Sequence, residues 1–252
     1  MNTKIIAVAN HKGGVGKTTT VASLGSILSQ KGYRVLVVDL DAQSNLTTSL
    51  VPSFEGATIY EALTGRTDTL PTVAITDNSH LVPASLTLAM IDVELSTAIA
   101  RESVLKDVLE KTQVSDHYDY ILLDCPPSLG LITLHAFTAS TDIIIPLVSE
   151  VLPFKGLTMI TDFINMVKRK LNPLVKVSGI LITRWEGSKL SKGIEEKLRE
   201  ALGEQVFDTK IRKNIRLAEA PLENRNIVDY DKSSNGAKDY IQFTEEFLAR
   251  IQ

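Results

Sequence analysis

The run Lys12-Gly13-Gly14-Val15-Gly16-Lys17-Thr18-Thr19-Thr20 sets two lysines around a glycine loop of the size that holds a triphosphate. Glycines at 13, 14 and 16 allow backbone N–H groups to close on phosphate oxygens, with Val15 between them, and the positive end of a following helix adds to the attraction. Lys17 is placed to reach the β- and γ-phosphates, Thr18 to ligate Mg²⁺, and Thr19 to donate to an α-phosphate oxygen. The expected cofactors are ATP and Mg²⁺. A strict phosphate loop carries glycine at position 11, where this chain has His11. The loop therefore starts at Lys12, a second lysine placed to neutralise phosphate charge across a subunit boundary.

Three carboxylates complete the expected site. Val38-Asp39-Leu40-Asp41 ends an apolar run with two aspartates two residues apart, which an extended chain projects to one side. Asp39 is expected near the Mg²⁺ shell and Asp41 beyond the γ-phosphate, where it orients or deprotonates the attacking water. Tyr120-Ile121-Leu122-Leu123-Asp124 repeats the pattern of apolar strand and terminal carboxylate, so Asp124 is expected to hold the ion through water.

These residues need a scaffold that gathers strand ends. Apolar runs at 5–9, 35–38, 120–123, 143–148 and 177–182 alternate with segments of helical spacing, the first of them 17–30. The runs are rich in Ile, Leu and Val without polar alternation, which predicts a doubly wound, mostly parallel twisted sheet covered by helices on both faces. Ligands of such folds bind beyond the carboxyl ends of the strands, where the candidate residues lie. Between 52 and 117 the spacing predicts a short helix over 59–63 and a helical stretch over 88–111 broken near Ala100.

With 252 residues, 44% apolar, the chain is long enough for one α/β domain spanning 1–252. One cysteine, Cys125, excludes an intramolecular disulfide and an intrachain four-thiolate cluster. The absence of a basic-then-apolar leader and of a long uninterrupted apolar stretch predicts a cytoplasmic protein. A net charge of −3 confines any nucleic-acid contact to a local patch. That patch is expected between Arg184 and Arg216, where Lys189, Lys192, Lys210, Arg212 and Lys213 also fall.

Together, the Lys12–Thr20 loop, Val38-Asp-Leu-Asp-Ala-Gln-Ser-Asn45, Leu122-Leu-Asp-Cys-Pro-Pro-Ser-Leu-Gly130 and Asn214-Ile-Arg-Leu-Ala-Glu-Ala-Pro221 resemble the ParA/Soj family of partition ATPases, with the deviant form of the phosphate loop. The resemblance implies a homodimer in the ATP state that binds non-specific double-stranded DNA, associates with the nucleoid, and hydrolyses ATP slowly until a ParB-like adaptor stimulates it. It assigns Lys12 as the signature lysine, Lys17 as the phosphate-loop lysine, Thr18 as the magnesium threonine and Asp41 as the aspartate supporting hydrolysis. It also makes Gly13 the glycine of close subunit approach and Arg216 the foremost DNA contact. His11 stands where relatives often have Gln, Ala42 where they usually have Pro, and Arg212 where Pro is frequent. No N-terminal DNA-binding extension is expected before the first strand. A MinD-like membrane-associated ATPase and a positioner of protein cargo are the alternatives. Against the first, residues 238–252 carry three acids and two bases, and Tyr240, Ile241, Phe243, Phe247, Leu248 and Ile251 suit packing on the domain.

Overall fold

The structure, a computed structural model, describes residues 3–149 and 153–251. Eight strands form one sheet in the order β3-β4-β2-β5-β1-β6-β7-β8. They are β1 (Lys4–Val8), β2 (Val35–Asp39), β3 (Val73–Thr76), β4 (Ser79–Val82), β5 (Tyr120–Asp124), β6 (Asp142–Val148), β7 (Lys176–Trp185) and β8 (Val206–Arg212). Every pairing is parallel except β3 with β4, an antiparallel hairpin at one edge.

The helices are α1 (Lys17–Gln30), α2 (Asn45–Leu50), α3 (Ile59–Leu63), α4 (Ile91–Glu94), α5 (Val104–Lys111), α6 (Val114–His117), α7 (Leu131–Ala139) and α8 (Pro153–Lys170). They continue with α9 (Lys189–Leu202), α10 (Arg216–Glu219), α11 (Ile227–Tyr230) and α12 (Asn235–Ile251). The five strands and the helices at 17–30 and 59–63 expected from apolar spacing are present. The 88–111 stretch breaks into short helical pieces, and Ala100 takes a left-handed φ of 51° at the break.

Why the central strands lack polar alternation is visible in β1. Ile6 and Val8 point into one core with Leu24, Tyr240, Phe243 and Phe247, whereas Ala7 enters a second core with Phe137, Ile143 and Ile160. Alternate side chains face opposite sides of a strand, and both sides here are roofed by helices, so every position is apolar. On the first side α1 lies close to the sheet at Gly25, where a Cβ would stand only 2.8 Å from Val37 Cγ1. The apolar positions of α12 fill this same core: Tyr240, Phe243, Phe247, Leu248 and Ile251 are buried and Ile241 is packed against it. No helix among the described residues is long and apolar enough to cross a membrane.

Candidate nucleotide site

β1, β2 and β5 run side by side, with Val8 in register with Asp124 and Asp39 in register with Asp124. The glycine loop and two of the three carboxylates thus leave adjacent strands at the same end of the sheet. The loop bends through left-handed glycines, Gly14 at φ 71° and Gly16 at φ 87°, where a side chain would be strained. Side chains from distant elements hold it. Thr183 Oγ1 of β7 donates to the Val15 carbonyl at 2.8 Å. Asn10 donates its Nδ2 to the Pro146 carbonyl at 2.7 Å and accepts the Lys12 N–H at 3.1 Å. Thr20 Oγ1 donates to the Gly16 carbonyl at 2.7 Å and therefore accepts from Tyr240 Oη at 3.1 Å, which links α12 to the loop.

Lys17 is buried, and its Nζ donates to the Lys12 carbonyl at 3.2 Å. Burial pushes its pKa down, while Asp124, Cys125 and Asp41 pull the other way. Asp124 is fully enclosed, and burial, reinforced by the Asp39 charge, raises its carboxyl well above the usual range despite a hydrogen bond from Thr18. Its Oδ1 has no hydrogen-bond partner among the described residues. Cys125 is a buried packing residue whose thiol burial pushes far up.

The two aspartates of the second run differ in setting. β2 ends at Asp39, so Asp41 lies beyond the strand in a turn and the two do not share a strand face. Asp39 is wholly buried: its Oδ1 accepts the Asp41 N–H at 3.1 Å, and its Oδ2 accepts the N–H and hydroxyl of Thr47 at 2.8 and 2.7 Å. Burial still pushes its carboxyl up to about 6. Asp39 is thereby turned toward α2, whose start it pins, while half-buried Asp41 spends Oδ1 on the Gln43 N–H at 3.0 Å.

No group of three or more His, Cys, Asp or Glu among the described residues is arranged to hold a metal ion alone. A lone Asp124 oxygen beside the Thr18 hydroxyl instead suits Mg²⁺, which keeps waters and takes most of its other ligands from phosphates. Next to Thr18 and Thr19 opens a cleft of about 380 Å³, lined also by Asn45, Pro221, Arg225 and Asn226. The sequence reading did not assign this cleft, although Pro221 closes the late motif.

The basic residues gather where β7 and β8 end and α9 begins. Four of the seven already have acidic partners. Lys210 pairs with Glu195 at 2.8 Å and stands 5.1 Å from the Trp185 ring centre, while the indole Nε1 is buried without a partner among the described residues. Lys213 pairs with Glu186 at 2.7 Å, and Arg216 with Glu219 at 2.8 Å and Asp231 at 3.6 Å. Arg212 grips buried Asp239 through its backbone N–H, Nε and Nη2. Its guanidinium thus holds α12 while 42% of the side chain remains exposed. Arg184, Lys189 and Lys192 are exposed.

Arg212→Ala would leave buried Asp239 with the residue-212 backbone N–H alone, and because the Arg212 side chain is 42% exposed the lost pair is partly screened, so the fold should lose about 1–2 kcal/mol. Lys192→Ala should leave the urea midpoint nearly unchanged. Equal midpoints for the two variants would show that Arg212 has no structural part.

A family model described as an AAA domain matches residues 3–177. The chain is 39% identical over 254 residues to the sporulation initiation inhibitor protein Soj of Bacillus subtilis (strain 168), covering 98% of each. It is 34% identical over 252 residues to the chromosome partitioning protein ParA of Caulobacter vibrioides, covering 98% of this chain and 94% of that protein. Among solved structures it is similar to a Mycobacterium smegmatis protein named cobyrinic acid a,c-diamide synthase, solved with a bound ATP analogue and magnesium. That likeness has a TM-score of 0.86 at 33% identity and covers 99% of this chain and 96% of the other.

Proposed function

This chain belongs to the ParA/Soj family of partition ATPases, and from that premise we propose that it is a Mg·ATP-dependent switch whose ATP state is a homodimer on non-specific double-stranded DNA. In this reading the switch partitions a DNA cargo, and a ParB-like adaptor speeds its otherwise slow hydrolysis. The observation that carries the reading is the meeting of Lys17, Thr18 and the unpartnered Asp124 oxygen beneath a glycine loop that begins with a second lysine.

Each residue then has a definite task. Loop N–H groups and the start of α1 cradle the phosphates, and Lys17 sets its ammonium against the β- and γ-oxygens. Thr18 and, through water, Asp124 would hold Mg²⁺, with Asp39 behind them, and the ion would supply positive charge to offset that of the phosphates. Thr19 donates to the α-phosphate, and the cleft lined by Pro221 and Asn226 takes the nucleoside. Lys12 serves the partner's phosphates, with Gly13 permitting the approach. Asp41 orients the attacking water.

Arg184, Lys189 and Lys192, with Lys213 and Arg216 exchanging acidic partners for phosphates, form the DNA surface of this proposal. Lys210 and Arg212 support it from beneath. One patch neutralises few phosphates, and a dimer joins two, so nucleotide-driven dimerisation raises affinity through effective concentration.

The carboxylates give this site a pH signature. Asp39 titrates near 6 and Asp124 above its ordinary range, so both lose charge on acidification. Nucleotide affinity measured with Mg²⁺ should fall as pH drops from about 7.5 to about 5, and affinity in EDTA should fall less. The sign for stability is opposite. The folded chain holds these protons more tightly than the unfolded one, so in nucleotide-free protein these two groups favour folding increasingly as pH falls through 6. Titrating a fluorescent nucleotide at several pH values checks the first point; an Mg²⁺ dependence that does not change with pH would refute it.

The proposal itself is tested by mobility shift on a non-specific duplex with Mg·ATP, Mg·ADP or no nucleotide, for wild type and Lys192→Ala. Binding should require ATP and weaken in the variant. Equal affinity in all three states would remove the switch, and binding in none would favour a protein cargo.

A further inference from the structure

We infer that His11 is a positioning residue for Lys12, acting through the packing of its imidazole on the bare backbone of Gly156 in the first turns of α8. The inference rests on the proposed part of Lys12 at the phosphates. A Cβ at residue 156 would overlap His11 Cε1 and stand 3.0 Å from Nε2 and 3.3 Å from Nδ1. The Cε1 overlap does not occur for real side chains and the two nitrogen separations are tighter than most, so the ring occupies the space that any residue but glycine would need.

Hydrogen bonding does not explain the ring's place. His11 Nδ1 is buried without a partner among the described residues. Shape is what holds it, and a contact of that kind fails when the space is filled. The neighbours of His11 show what is being held. Asn10 is bolted to β6 through the Pro146 carbonyl and takes the Lys12 N–H on its Oδ1. Lys12 in turn gives its carbonyl to the Lys17 ammonium. The chain entering the loop is therefore fixed on both sides of His11, by β6 through Asn10 and by α8 through Gly156. Displacing the ring shifts Lys12, and with it the carbonyl that locates Lys17. α8 thus acts as a backstop for the loop, although none of its side chains has to touch nucleotide.

The geometry makes a prediction that a general loss of stability does not. Gly156→Ala should expel the ring and lower ATP turnover by about tenfold or more, since misplacing a reacting group by an ångström costs that much or more. In a His11→Ala background the same Gly156→Ala change should cost nothing further, because the space is already empty. His11→Gln, which keeps a flat polar side chain, should retain most of the turnover. Tryptic cleavage after Lys12, followed by mass spectrometry, reads the order of the loop independently of any ATPase activity. It should accelerate in Gly156→Ala and not accelerate again in the double variant.

Multiplying effects in the double variant, or wild-type cleavage and turnover in Gly156→Ala, would overturn the inference. A wild-type protein without ATP turnover would overturn the proposed function instead, and the cleavage pattern would still decide whether His11 holds the loop.

Discussion

Lys17→Ala should lower ATP turnover by about 10²–10³-fold and weaken nucleotide binding as well. The size of the effect follows from where the ammonium sits. It is buried against the Lys12 carbonyl and faced by Asp124 and Asp41, so it is the cation that balances those carboxylates when the phosphates arrive. Without it, two acids and the phosphate oxygens meet across a desolvated gap, where like charges repel strongly. Lys17→Arg should not rescue turnover, because a planar guanidinium is larger than the ammonium that this pocket encloses. Phosphate release and a fluorescent nucleotide titration measure the two consequences. Turnover within about threefold of wild type would show that Lys17 is not the phosphate lysine.

Asp41→Ala should separate binding from hydrolysis. Turnover should fall by about 10²-fold or more, the scale of a lost general base or water-orienting group, while Mg·ATP affinity stays within about threefold. The side chain is half-buried and outside the strand, and among the described residues its carboxylate accepts only the nearby Gln43 N–H, so its removal should leave the sheet and the loop intact. Under the proposed switch the variant should stay dimeric and on DNA after wild type has let go. A chase with competitor DNA reads that persistence, and prompt release with undiminished turnover would take Asp41 out of the mechanism. Asp39→Ala makes a useful contrast. It abandons the N–H and hydroxyl of Thr47 and the N–H of Asp41, so it should cost stability before it costs chemistry.

What could be read in the chain, and what could not, divides by distance along it. The phosphate loop, α1 and the central strands are local patterns: glycine spacing, a following helix, unbroken Ile, Leu and Val. β3, β4 and β8 escaped because they lie at or next to the sheet edges and mix polar with apolar residues. In β8, Asp208, Lys210 and Arg212 interrupt the buried positions, and the segment reads as part of a basic run. The hairpin is also short, four residues in each strand.

The site itself was legible as a set of residue types and much less so as a set of contacts. Nothing adjacent to Asp39 in sequence announces that Thr47 will occupy its oxygens, because the shared feature is the turn from β2 into α2. Likewise Arg212 and Asp239 meet only because α12 folds back over β8, which gives a half-exposed surface cation a buried carboxylate to brace. Thr183 and Tyr240 reach the loop from the far side of the chain, and no periodicity marks either.

Trp185 is the single tryptophan in the sequence, and its indole lies beneath the Lys210 ammonium at the end of β7. The molecule therefore carries an optical probe at the edge of its basic surface. Intrinsic emission excited at the indole should change whenever the Lys210 contact is disturbed, so under the proposed DNA role a duplex settling on the neighbouring cations would be followed in real time without a dye, a tag or an added cysteine.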